Sequence, residues 1–123
     1  EMLRSLVGSE MCIRDRAQQT VVAVTGEVDF VTDGTREVRV TGGSPLMPQV
    51  TATGCALTAV VGAFVAVSKQ DTYTAAVAAL SCFGIAGRRA GALADGPGSF
   101  AWRFLDALAA LETDSLTRES PLR

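Results

Sequence analysis

The sequence predicts an α/β chain in which short strands come first and three helices follow. Three observations carry this. Residues 20–40, TVVAVTGEVDFVTDGTREVRV, are rich in β-branched residues and broken by turn dipeptides. Residues 53–93 hold two long apolar segments, rich in Ala and Gly, that are separated by SKQD. Beyond the break DGPGS, Phe and Leu recur at three- to four-residue spacing.

The first element, TVVAVTGE, is an apolar run without polar alternation, as expected of a strand buried on both faces of a parallel sheet. Thr25-Gly26 then falls at its carboxyl end, where open α/β sheets collect ligands. VDFVTDGTREVRV reads as two strands about Asp33-Gly34, since Asp-Gly supplies the positive φ that tight hairpins need. Val28, Phe30 and Thr32 alternate with Asp29, Val31 and Asp33. Val38 and Val40 alternate with Glu37 and Arg39, so one face of the hairpin is half wet. TGGSPLMPQVTATG is a loop, punctuated by Gly42, Gly43, Pro45 and Pro48.

A first helix starts at Thr53 or Gly54 and ends near Ser68; it is apolar nearly all round, which predicts burial. Asp71 or Thr72 caps a second helix that reaches about Leu93. On it Ser81, Gly84, Gly87 or Arg88, and Gly91 form a stripe of small residues against which another helix can pack closely. Arg88 and Arg89 read as a solvated face. Ser99 is the expected N-cap of a last helix carrying Phe100, Phe104, Leu105, Leu108 and Leu111. Residues 114–123 are a polar tail expected to fray.

Residues 1–16 do not fit the rest of the chain. Met11 to Arg16, MCIRDR, resemble the translation of a transposon end used in DNA sequencing libraries, and the segment is read as non-native. The remaining chain is one partial domain over residues 17–113. Of the 123 residues, 48% are hydrophobic and 20% charged, with a mean hydropathy of +0.28. That is apolar for a small free-standing domain, and it is expected of a piece of something larger.

Composition also excludes functions. The net charge is -2, no Lys/Arg cluster stands out, and no nucleic-acid partner is expected. Without histidine the commonest zinc ligand and the commonest general base are absent. Cys12, Cys55 and Cys82 are odd in number and widely spaced, which suits reduced thiols and a cytoplasmic location. Cys82, mid-helix among apolar neighbours, reads as structural. The apolar runs fall short of the ~20 residues of a membrane span, and no signal-peptide pattern opens the chain.

The stretch with chemistry in it is VTATGCALTAVVGAF. A helix N-terminus offers unpaired N–H groups and a partial positive charge, so Thr53-Gly54-Cys55-Ala56 would form an anion site, with Gly54 letting the backbone come close. Phosphoryl transfer needs such donors. Cys55 could take a proton from an attacking alcohol or position it, although a cysteine often only fills space. The common phosphate-loop signature Gly-x-x-x-x-Gly-Lys-Ser/Thr is absent.

Four blocks in order, VVAVTGEVDFVTDG, PLMPQVTATGCALTAVVGAF, AAVAALSCFGIAG and GPGSFAWRFLDAL, resemble the carboxyl-terminal half of hydroxyethylthiazole kinase. That family is ribokinase-like, so the resemblance implies part of a three-layer α/β/α fold. It implies ATP-dependent phosphorylation of 4-methyl-5-(2-hydroxyethyl)thiazole in thiamine biosynthesis or salvage, with Mg2+. By resemblance, Thr25 is an ATP contact and Thr53, Gly54 and Cys55 form the anion hole. Cys55 stands beside the substrate hydroxyl where most of the superfamily carries an aspartate base. Ala52 occupies a substrate-lining position that is usually glycine. The resemblance places the magnesium-binding acids upstream and implies a homotrimer with the thiazole site between subunits. Two alternatives are a ribokinase-like kinase for another small alcohol, such as the hydroxymethylpyrimidine, and a non-catalytic helical binding module. Cysteine in place of aspartate speaks against the first, and the intact Thr-Gly-Cys turn against the second.

Overall fold

The computed structural model describes residues 20–69 and 71–123. The segment at residues 1–16, with Cys12, lies outside the described residues. Three strands, β1 (Val22–Val24), β2 (Asp29–Thr32) and β3 (Glu37–Val40), are followed by a single 3-10 turn at Met47–Gln49. Four helices complete the chain: α1 (Thr53–Val67), α2 (Thr72–Leu93), α3 (Pro97–Ala109) and α4 (Thr113–Arg118).

The strands form an antiparallel meander in the order β1-β2-β3. Val24 pairs with Phe30, and Val31 with Val38. The β2–β3 hairpin turns where Asp33-Gly34 predicts, with Gly34 at φ 90°. Asp33 accepts the backbone N–H groups of Thr35 and Arg36, which holds its carboxyl well below the usual range. β1 departs from expectation: it pairs antiparallel, and Ala23 is exposed. Its apolar run resembles a parallel core strand, but among the described residues only β2 lies beside it.

Helix α2 is the element around which the chain packs. Its buried residues include Ala76, Leu80, Phe83, Ala86 and Ala90. One face meets the sheet through Val31 and Val40, and another meets α3 through Phe100 and Phe104. Phe83 packs edge-on against Phe104 with ring centroids 4.7 Å apart, and Phe100 stacks on Phe104 at 5.7 Å. Asp71 is the N-cap, accepting from the Thr74 N–H. The Arg36 guanidinium forks onto the same carboxylate at 3.1 Å from each nitrogen, and it lies over the Tyr73 ring. This ties the hairpin tip to the start of α2, raises Arg36's pKa and lowers that of Asp71.

Six further expectations change in three dimensions. Helix α1 has the predicted bounds but no buried residue: Leu57, Val60 and Val61 pack partly on the two core clusters, whereas Ala59, Ala63 and Val67 are exposed. The small-residue stripe on α2 receives a loop, not a helix, because residues 42–47 lie against Gly84, Gly87 and Gly91. Ser99 is not the N-cap of α3. The helix starts at Pro97, and Ser99 sits in its first turn, accepting from the N–H groups of Asp95 and Gly96. Leu105 is 64% exposed, one residue and therefore ~100° around the helix from buried Phe104.

The tail is the fifth. Residues 113–118 form α4, Leu122 bridges Val40, and Thr41 donates its N–H and hydroxyl to the Pro121 carbonyl. Glu119 receives Arg88 and Arg89, so these arginines hold the tail down and do not form a merely solvated face. The segment is polar, but its polar groups are spent on α2 and β3. Among the described residues no helix is long and apolar enough to cross a membrane.

Candidate active site

The end of β1, the end of β3, the following loop and the start of α1 enclose an open cavity of about 890 Å³. Thr25 and Gly26 line it from just beyond β1, Thr41, Gly42 and Gly43 from the loop after β3, and Thr53 and Gly54 from α1. Val40, Leu57 and Phe83 add apolar wall. Two segments separated by 28 positions in the sequence, Thr25 and Thr53, thus reach one space.

Local geometry makes the α1 end a donor surface. No side chain caps the helix, and its first capping hydrogen bond runs from the Ala56 N–H to the Ala52 carbonyl at 2.9 Å. Among the described residues the amides of Thr53, Gly54 and Cys55 have no protein acceptor. A side chain added at Gly54 would meet nothing within 4 Å, so the turn is open for close approach. The Thr53 hydroxyl is occupied, donating to the Val50 carbonyl at 2.8 Å and lying 3.2 Å from that of Met47. Thr53 can therefore serve an anion through its main chain.

Cys55 is exposed on the first turn of α1, not turned into the apolar interior. Neither Cys55 nor Ala52 is among the cavity-lining residues; both stand exposed next to Thr53 and Gly54. Cys82 is half-buried, and burial pushes its thiol pKa up. Gly96 and Ser99 form the entrance to α3 and do not line the cavity.

Ala52 carries a cost. Its φ of 67° and ψ of 10° put a non-glycine residue in the left-handed region, alone among the described residues. That region costs an L-residue ~1–2 kcal/mol, and glycine gives back roughly 0.5–1 kcal/mol through the entropy of the unfolded chain. Ala52→Gly should therefore stabilise the fold by about 1 kcal/mol, read as a higher urea midpoint at an unchanged slope.

Two lining glycines were not singled out as site residues by sequence. Gly42 and Gly43 looked like ordinary loop punctuation. They have φ of 128° and 83°, and the Gly43 N–H donates to the Gly84 carbonyl at 2.9 Å, which seats the loop on α2. The signal was present as Gly42-Gly43 facing the Gly84 and Gly87 stripe, but pairing the two needs the tertiary contact. Glu27 and Asp29 also line the cavity. Asp29 is half-buried and accepts the Gly26 N–H at 3.0 Å; burial raises its pKa and that bond offsets part of the shift. Among the described residues no group of three acidic, Cys or His side chains could hold a metal ion.

The model of the hydroxyethylthiazole kinase family matches residues 10–114. The match begins inside the segment set apart at residues 1–16. A hydroxyethylthiazole kinase of Rhizobium leguminosarum bv. trifolii is 62% identical over 109 residues, covering 89% of this chain and 40% of the relative. One from Gemmatimonas aurantiaca is 63% identical over 102 residues, 83% of this chain and 36% of the relative. The solved structure of a hydroxyethylthiazole kinase protein from Pyrococcus horikoshii superposes with a TM-score of 0.89 at 37% identity. It covers 98% of this chain and 46% of that one. The chain thus spans about two fifths of the length of the curated relatives it matches.

Proposed function

The chain belongs to the hydroxyethylthiazole kinase family, and on that premise we propose that it is part of an enzyme that phosphorylates the primary alcohol of 4-methyl-5-(2-hydroxyethyl)thiazole with ATP. The observation that carries the proposal is the shared cavity: Thr25 at the end of β1 and the uncapped amides of Thr53 and Gly54 line one space, with the exposed Cys55 thiol beside it.

The described residues fit a triphosphate: small Thr, Gly and Ser residues line the cavity, and a helix N-terminus with unspent N–H groups faces it. ATP supplies the phosphoryl group. Thr25 contacts the nucleotide, and the amides of Thr53, Gly54 and Cys55 hold the charge that develops on the group in transit. Ala52 borders the thiazole. The alcohol oxygen forms the new bond to phosphorus, the bond to ADP's oxygen breaks, and the alcohol's proton passes to Cys55 in its thiolate form, which becomes the thiol. Among the described residues no group of three acidic, Cys or His side chains could hold magnesium, and the ion enters no step here. In this reading residues 17–113 are a partial kinase domain, and the complete enzyme is a cytoplasmic homotrimer.

The test is a coupled ADP-release assay. Full-length enzyme carrying this segment should turn over with ATP and the thiazole alcohol, and the 123-residue chain alone should not. No turnover by the full-length enzyme refutes the substrate. Turnover by the chain alone refutes its incompleteness.

A further inference from the structure

We propose that Asp29 is a positioning residue for the nucleotide: from the rigid strand β2 its carboxylate holds the β1–β2 connection in the shape that presents Thr25. This rests on the reading of Thr25 as a nucleotide contact. The connection, residues 25–28, is exposed throughout and contains Gly26, whose backbone is the least restricted of any residue. Among the described residues one hydrogen bond ties it down, from the Gly26 N–H to Asp29 Oδ1 at 3.0 Å.

The anchor end is firm. Asp29 is the first residue of β2 and is paired with Val40, which is 2% exposed. The carboxylate is half-buried in the wall of the cavity that Thr25 and Gly26 also line. A turn that needed only solubility would leave that group in water. Here it is partly desolvated, and its acceptor oxygen is used one residue from the proposed contact. Without it, the three-residue strand β1 would end in a connection free to sample many conformations, and the nucleotide would have to order it on binding.

The experiment compares Asp29→Ala, Asp29→Asn, Thr25→Ala and the Thr25→Ala/Asp29→Ala double variant in the full-length enzyme, with melting curves as the control for folding. Asp29→Ala should raise KM for ATP about tenfold and change kcat less than about twofold, the split expected when only nucleotide binding is loosened. Asp29→Asn keeps an acceptor oxygen and should stay within about threefold of the parent. The double variant should be no worse than Thr25→Ala alone, because Asp29 acts through the same contact. If Thr25→Ala raises KM and Asp29→Ala does not, this proposal fails and the role of Thr25 stands. If Thr25→Ala leaves KM unchanged, the reading of Thr25 itself fails. Equal losses for Asp29→Asn and Asp29→Ala, with normal melting, would show that the charge matters and not the acceptor, and would overturn the positioning role.

Discussion

Cys55→Ala in the full-length enzyme is expected to lower kcat by roughly a hundredfold or more, with KM for ATP nearly unchanged. The thiol is exposed on the first turn of α1, next to amides that no protein group occupies among the described residues. In the proposed reading, removing it takes away a proton acceptor or an alcohol-positioning group while leaving the main-chain donors in place. Cys55→Asp separates those two roles. A carboxylate accepts a proton, and the resemblance implies that most of the ribokinase-like superfamily carries aspartate where this family carries cysteine, so the variant should turn over. Steady-state kinetics with both substrates decides. An inactive Cys55→Asp enzyme that still folds and binds ATP would assign the sulfur a role other than proton acceptance. An undiminished Cys55→Ala enzyme would remove Cys55 from the mechanism.

The largest expected loss of stability is at Phe100. Phe100→Ala should cost about 3–5 kcal/mol, measured by urea or guanidinium unfolding. Phe100 is 1% exposed and stacks on Phe104, which in turn meets Phe83 of α2. Deleting the ring removes buried apolar area and leaves a hole that three aromatic side chains had shared. A loss of this size is a large part of the ~5–15 kcal/mol that holds an ordinary domain together. Leu105→Ala is the internal control: one position away from Phe104, and 64% exposed, it should change little. Equal losses at Phe100 and Leu105 would mean that α3 packs on a different face.

Much of the fold was legible because it depends on neighbours in sequence. Asp33-Gly34 makes a hairpin wherever it lies between two strand-forming runs, and Asp71 caps a helix through the N–H of a residue three positions on. The bounds of α1 and α2 followed from the same local chemistry. Burial was less legible. The apolar circumference of α1 and the unbroken run of β1 report what could be covered, not what is. In this chain α2 and β2 each cover one side. The polar tail misled in the opposite sense, since Glu119 and Ser115 find Arg88 and Arg89, about thirty positions away.

The candidate site divides in the same way. Thr53-Gly54-Cys55 at a helix start is visible in the letters, because a helix N-terminus creates its own unpaired donors. The letters also carry the family, through four ordered blocks of side chains. What only the folded chain decided is the company these residues keep. Thr25 and Gly54 face one cavity, Gly42 and Gly43 close onto Gly84, and Asp29 reaches back to Gly26. Those pairings depend on where strands and helices pack against α2. That packing is a sum of many long-range contacts, each weak and none encoded within a single turn of chain.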